Sequence, residues 1–219
     1  MKMLFTFFCC CLFFNNGFAQ TIPVPVGYEL LQEANGDLDK DSVAEKAAVF
    51  NTGEVNTESG GTVREIIIYK KTRHGWKAWQ RSKNAILDSK SGGMMGDPFE
   101  EISVDKGILV ISHVGGSSWK WGHEDKYRFQ NKRFELIGYT SLYGKPCEYW
   151  TDVDYNISTG KIILKKAYEQ CNDDGETQKV IKSENETFTH KPGVIIHLGN
   201  RNQADVKIVT PRYRHEIYL

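Results

Sequence analysis

The segment PCEYWTDVDYNISTGKIILKKAYEQC restricts the fold more than any other part of the chain, because Cys147 and Cys171 stand at equal distances from the turn Ser158-Thr159-Gly160. Gly160 supplies the left-handed position of a three-residue hairpin loop, and the flanking β-branched and aromatic residues are strand formers. Such a loop pairs Ile157 with Lys161 and sets a register in which opposed residue numbers sum to 318, as the two cysteine numbers do. The cysteines are therefore expected to face each other across two antiparallel strands and to form a Cys147–Cys171 disulfide.

The same grammar repeats along the chain. From Tyr28 onward, β-rich runs alternate with turn residues: GYELLQEA, EKAAVFN, VREIIIYKK, GWKAWQR, FEEISVDKGILVISHV, WKWGHEDKYRF and FELIGYT precede the cysteine hairpin. GVIIHLG and the tail VKIVTPRYRHEIYL follow it, with Pro211 expected to end a strand or to sit at an edge. Tight turns at Asp105-Lys106-Gly107 and at Gln130 to Arg133 leave room only for antiparallel neighbours. SKNAILDSKSGGMMGDP shows no alternation and predicts a long loop with at most one helical turn. The expected class is mostly β: antiparallel sheets built from consecutive hairpins, sandwich- or propeller-blade-like, with few or short helices.

The N-terminus bears on location. A basic start at Lys2, an apolar run from Leu4 to Phe14 and a polar tail with Gly17 and Ala19 follow the order of a secretory signal cleaved after Ala19. The run is eleven residues, short of the roughly 20 that a spanning helix needs. Cys9, Cys10 and Cys11 serve there as apolar filler; Phe8 stands where lipidation requires a small residue, which leaves a lipid anchor as a minor alternative. The expected organisation is a signal over 1–19 and one β-rich domain over 20–219, exported to the periplasm or beyond, where disulfides persist. After processing, 27 basic residues balance 28 acidic ones, which argues against nucleic acid or an anionic membrane as partner, and no later run is long enough to span a bilayer.

The stretch GDLDKDSVAEKA gathers carboxylates at Asp37, Asp39, Asp41 and Glu45, loop positions 1, 3, 5 and 9, with the Val43 carbonyl at position 7. That spacing turns oxygens toward one hard cation, and calcium suits it better than magnesium or zinc. Ser42 occupies position 6, normally glycine, and must take the sharp turn there at a steric cost of about 1 kcal/mol. Ala48 at position 12 excludes an EF-hand. The alternative is a solvated acidic turn.

The loop spacing resembles the calcium loops of FG-GAP or integrin-propeller repeats and, less closely, those of dockerins. More broadly, Gly36 to Glu45, Gly96-Asp97-Pro98-Phe99-Glu100, Gly115 to Trp121 and Leu136-Ile137-Gly138-Tyr139 resemble, in that order, an uncharacterised family of exported, Bacteroidetes-like bacterial proteins. The resemblance implies export and brings no activity with it.

ISHVGGSSWKWGHEDKYRF carries His113, Trp119, Trp121 and His123 around a glycine-serine turn. Aromatic residues on a β surface stack on sugars or on a partner's apolar groups, yet Trp119 and Trp121 share a strand face, which more often means packing. At least one of them is expected to be largely buried. His74, His113, His123 and His197 have no diagnostic neighbours: G-x-S-x-G, H-E-x-x-H and C-x-x-C are all missing. The expectation is a non-catalytic binding or structural module with a stabilising calcium loop, its partner an envelope protein or a glycan. The alternative is a periplasmic hydrolase using His113 and His123 with Asp97 or Glu100.

Overall fold

The run Glu65-Ile66-Ile67-Ile68-Tyr69 is buried at every position, although strands with one wet face alternate. Its strand must therefore be covered on both sides, and the computed structural model, which describes residues 21–219 except 174 and 176, shows how. Strand β1 (Glu29–Gly36), β2 (Glu45–Val55), β3 (Thr62–Thr72) and β4 (Gly75–Ser82) form one antiparallel sheet in sequence order. Ile66 and Ile68 of β3 face the main core, whereas Ile67 and Tyr69 pack with Phe50 and Ile22 beneath the N-terminal segment. The Tyr69 hydroxyl donates to the Pro23 carbonyl at 2.8 Å and fastens that segment down.

The second sheet has seven antiparallel strands, again joined by consecutive hairpins: β5 (Phe99–Asp105), β6 (Ile108–Gly116), β7 (Lys120–Gln130), β8 (Arg133–Lys145), β9 (Tyr149–Asn156), β10 (Lys161–Cys171) and β11 (Thr177–Thr189). Lys106 and Gly107, and then Asn131 and Lys132, all take positive φ, so both expected turns are two-residue turns whose twist matches their strands. Ala47, Val49, Ile66 and Ile68 of the first sheet pack against Ile102, Leu109, Ile111 and Tyr127 of the second, so the sheets share a sandwich-like core and close no barrel. Edge β1 also lies along edge β5: the Gln32 side chain accepts from the Ile102 amide at 2.7 Å, and a Cβ at Gly36 would collide with Val104. A short ribbon, β12 (Lys207–Val209) with β13 (Glu216–Tyr218), covers the far half of the larger sheet through Ile208 and Ile217. No helix among the described residues is long and apolar enough to cross a membrane.

Three expectations need correction. The cysteine hairpin turns through four residues, Ile157 to Gly160, pairing Asn156 with Lys161, so opposed numbers sum to 317 rather than 318. The Cys147–Cys171 bridge exists, with Cα atoms 5.1 Å apart, because Cys147 lies outside β9 in the β8–β9 turn, at φ 70°, and reaches across to the end of β10. GVIIHLG forms no strand beyond a single bridge from His197 to Glu135; it leads into the 3-10 turn Leu198–Gln203 and inserts Ile196 and Leu198 into the core. Strand β11 has no counterpart among the expected runs, since Lys182 to Thr187 is almost wholly polar. The long loop is ordered, with Ala85 and Ile86 buried and a 3-10 turn at Gly93–Met95, and Pro211 falls in the turn after β12, as expected. The signal segment, with Cys9 to Cys11, lies outside the described residues.

Candidate functional site

The acidic loop joins β1 to β2, and Ser42 takes φ 70°, the left-handed turn that its position demands. Asp37 accepts the amides of Asp41 and Ser42 at 3.0 and 2.9 Å, and Asp41 accepts that of Val43 at 2.8 Å, which pulls Asp41 below the usual carboxylate range. Asp37, Asp39 and Glu45 each bring a carboxylate oxygen within 4.8 Å of the others; Asp41 stands outside that group. Glu45 is buried, and burial, with the charges of Asp39 and Asp41, raises its pKa. No local spacing hints at the cation that the loop does contact. Lys70, thirty-odd residues away on β3, forms a close ion pair with Asp39 and reaches Asp41 at 3.4 Å and Glu45 at 3.7 Å. Asp39 nevertheless keeps one buried oxygen, Oδ1, without a hydrogen-bond partner.

The histidines meet beneath the ribbon. His113 on β6 and His123 on β7 are directly opposed, with ring centroids 5.1 Å apart. With Asp125, Tyr139, Arg64 and Arg201 they line a cavity of about 480 Å³ between the sheets. The cavity's two aspartates are already satisfied: Asp125 receives Arg201 at 2.6 and 3.2 Å and the Tyr127 hydroxyl at 3.0 Å, and Asp88 receives Asn56, Ser91 and the Lys90 amide. His113 accepts the Leu87 amide through Nε2 at 3.2 Å, and burial, then His123, drives its pKa down to about 3, so it stands neutral with the proton on Nδ1. Asp97 is clamped by both terminal nitrogens of Arg64, and exposed Glu100 shares only a shallow depression with the two histidines. Asp97 is thus paired with Arg64 and Asp125 with Arg201, while Glu100 stands in the depression that His113 and His123 also line.

The other face of His123 opens on a cleft of about 530 Å³ between the sheet and β13. Trp121 stacks on His123 at 5.8 Å and covers Gly115, where any side chain would strike the indole. Trp119 stacks on Tyr143 at 5.4 Å and meets Tyr149 at 5.0 Å. Both tryptophans are half-buried, packed on one ring face and wet on another. Lys166 of β10 places its ammonium 3.7 Å from the Tyr149 ring centre and 5.1 Å from that of Tyr168. The ribbon is tied down at this edge by buried Glu184, which accepts His215 at 2.7 Å and Tyr168 at 3.1 Å, and by Glu186, which accepts the Arg212 amide at 2.6 Å. No protein-family model matches the chain, and comparison with the curated proteins and with the solved structures likewise gives no match.

Proposed function

We propose that this chain is an exported, non-catalytic glycan-binding module whose ligand site is the aromatic cleft under the C-terminal ribbon. The cleft itself carries the reading: half-buried Trp121 at one end, Tyr143 and Tyr149 along the floor, and Ser141, Thr151 and Tyr218 as polar groups beside them. Ring faces next to hydroxyls suit sugars, whose C–H faces stack while their hydroxyls hydrogen-bond. Its volume lies within the range of ordinary small-ligand sites. Against hydrolysis stands the pairing of the acid nearest the histidines, since Asp125 is held by Arg201 and Tyr127, as Asp97 is by Arg64. Export rests on the signal-like N-terminus and fits a disulfide-bonded chain, and the resemblance to exported bacterial proteins points the same way.

In the same reading the loop from Asp37 to Glu45 is a weak structural calcium site, supported by three converging carboxylates and the orphaned Asp39 oxygen. Calcium and the Lys70 ammonium would compete for that cradle. A glycan array probed with the mature chain and with Trp121→Ala tests the binding role. The wild type should retain at least one glycan and the variant should lose it; an array on which the wild type retains nothing defeats the reading.

A further inference from the structure

Trp121, Tyr143, Thr151 and Lys166 are paired in one row across β7, β8, β9 and β10 and point to the same face. Three interstrand steps span about 14 Å, more than one sugar ring covers, so a ligand touching both ends is an oligosaccharide. The two ends differ in chemistry. At the tryptophan end the cleft is lined by the rings of Trp121 and Tyr143, with the Lys145 ammonium outside that lining, 5.9 Å from the centre of Trp119. At the other end stands Lys166, which contacts two tyrosine rings and, among the described residues, no carboxylate at ion-pair distance.

The neighbours of Lys166 make that isolation informative. Its cross-strand partner is Glu184, but that carboxylate is committed to Lys182 at 2.5 Å, His215 at 2.7 Å and Tyr168 at 3.1 Å. Glu216, the carboxylate in the cleft lining, is paired with Lys207 at 2.7 Å. Partial burial accordingly lowers the Lys166 pKa despite the attraction of Glu184. A partly desolvated ammonium with its nearby anions occupied elsewhere is complementary to an incoming anion. Tyr149 and Tyr168 hold the ammonium at the cleft floor by cation–π contact without neutralising it.

We infer that the cleft, taken as the glycan site proposed above, selects an acidic oligosaccharide, a chain of uronic-acid residues, seating one ring against Trp121 and Tyr143 and one carboxylate on Lys166. Thr151 lies between the two ends and presents a hydroxyl to the intervening sugar. A neutral oligosaccharide would keep the stacking and leave the ammonium unpaired.

The test is calorimetric titration in calcium-free buffer with trigalacturonate and with its fully methyl-esterified form, which keeps the rings and removes the charge. The wild type should bind the acid at least tenfold more tightly than the ester. Lys166→Met should erase that preference by bringing the affinity for the acid down to that for the ester, whereas Trp121→Ala should weaken both and keep the preference. Equal affinity of the wild type for acid and ester, or a preference that survives Lys166→Met, overturns the inference while leaving glycan binding intact. No heat with either trimer from a protein that retains neutral glycans on the array also overturns it; failure on the array as well removes the underlying reading.

Discussion

Lys70 and Lys166 are built alike and balanced differently. Each rises from a strand and lies over an aromatic ring, Lys70 at 4.5 Å from the centre of Trp79 and Lys166 at 3.7 Å from that of Tyr149. Lys70 is surrounded by Asp39, Asp41 and Glu45, and although burial pulls its pKa down, those charges raise it overall. Lys166 faces Glu184, which is already shared by Lys182, His215 and Tyr168, and burial, with the Lys182 charge, lowers its pKa. The first ammonium completes a turn between two strands and is part of the fold. The second is left for something outside the chain. What separates a structural lysine from a recognition lysine in this protein is the number of carboxylates within reach, not its exposure or its aromatic neighbour.

Arg201 and Asp125 extend the comparison to full burial, where charge balance matters most. The Asp125 side chain is 1% exposed and that of Arg201 12%. Arg201→Met leaves a buried carboxylate with only Tyr127, and removing one partner of such a pair costs about 3 to 5 kcal/mol. The melting temperature should fall by roughly 10 °C or more in a chain of this size, a far larger loss than either lysine should cause. Adding Asp125→Asn should recover part of the loss, because two neutral groups no longer strand a charge. A melting temperature within a few degrees of wild type for Arg201→Met would mean that water already screens the pair.

Most of the fold was legible in the sequence, because hairpin turns and alternation are local. The Lys106-Gly107 and Asn131-Lys132 turns, the strands β1 to β10 and the ribbon of the tail follow from such patterns, whereas β11 escaped because its buried face carries Glu184 and Glu186 in place of apolar residues. The site was much less legible, and one residue explains why. A three-residue turn sets Lys166 opposite Asp152, among the acids of the outer face; the four-residue turn sets it opposite Thr151, in the cleft with Tyr149. A one-residue slip exchanges faces, so the hairpin was recognised while the side to which its lysine points was not. Lys70 and Arg201 were hidden for another reason: they meet Asp39 and Asp125 across 31 and 76 residues, which no local spacing encodes.

The disulfide sharpens the contrast between the two ends of the molecule. It joins the β8–β9 turn to the end of β10, two residues from Tyr149 and five from Lys166, and lies on the cleft side alone. Reduction should cost about 2 to 4 kcal/mol, seen as a lower melting temperature by calorimetry with and without a phosphine reductant. Glycan affinity should weaken with it, since Tyr149 loses its anchor. The response to calcium, at the opposite end, should persist in the reduced protein. Loss of the calcium response on reduction would show that the two ends are coupled, and the comparison between independent lysines would fail.

The smallest effects come from the two lysines themselves, and their signs should differ. In Lys70→Met three carboxylates face one another without a cation, with Glu45 buried, so the fold should lose about 1 kcal/mol through unscreened repulsion at partial burial. Lys166→Met removes a desolvated charge from between two tyrosines and puts an apolar chain in its place, so stability should stay within about 0.5 kcal/mol or rise. Calcium then separates the sites. Weak extracellular loops have dissociation constants of roughly 10⁻⁴ to 10⁻³ M, and calcium at ten times its constant stabilises by about 1.4 kcal/mol. In the wild type calcium must displace the Lys70 ammonium, so the gain between EDTA and millimolar calcium should be small. In Lys70→Met it should be larger and should restore what the substitution cost. In Lys166→Met it should match the wild type. Thermal melts of the three proteins with and without calcium decide this. If Lys70→Met melts at the wild-type temperature and ignores calcium, the carboxylates never depended on a cation, and the loop is an ordinary acidic turn with a lysine beside it.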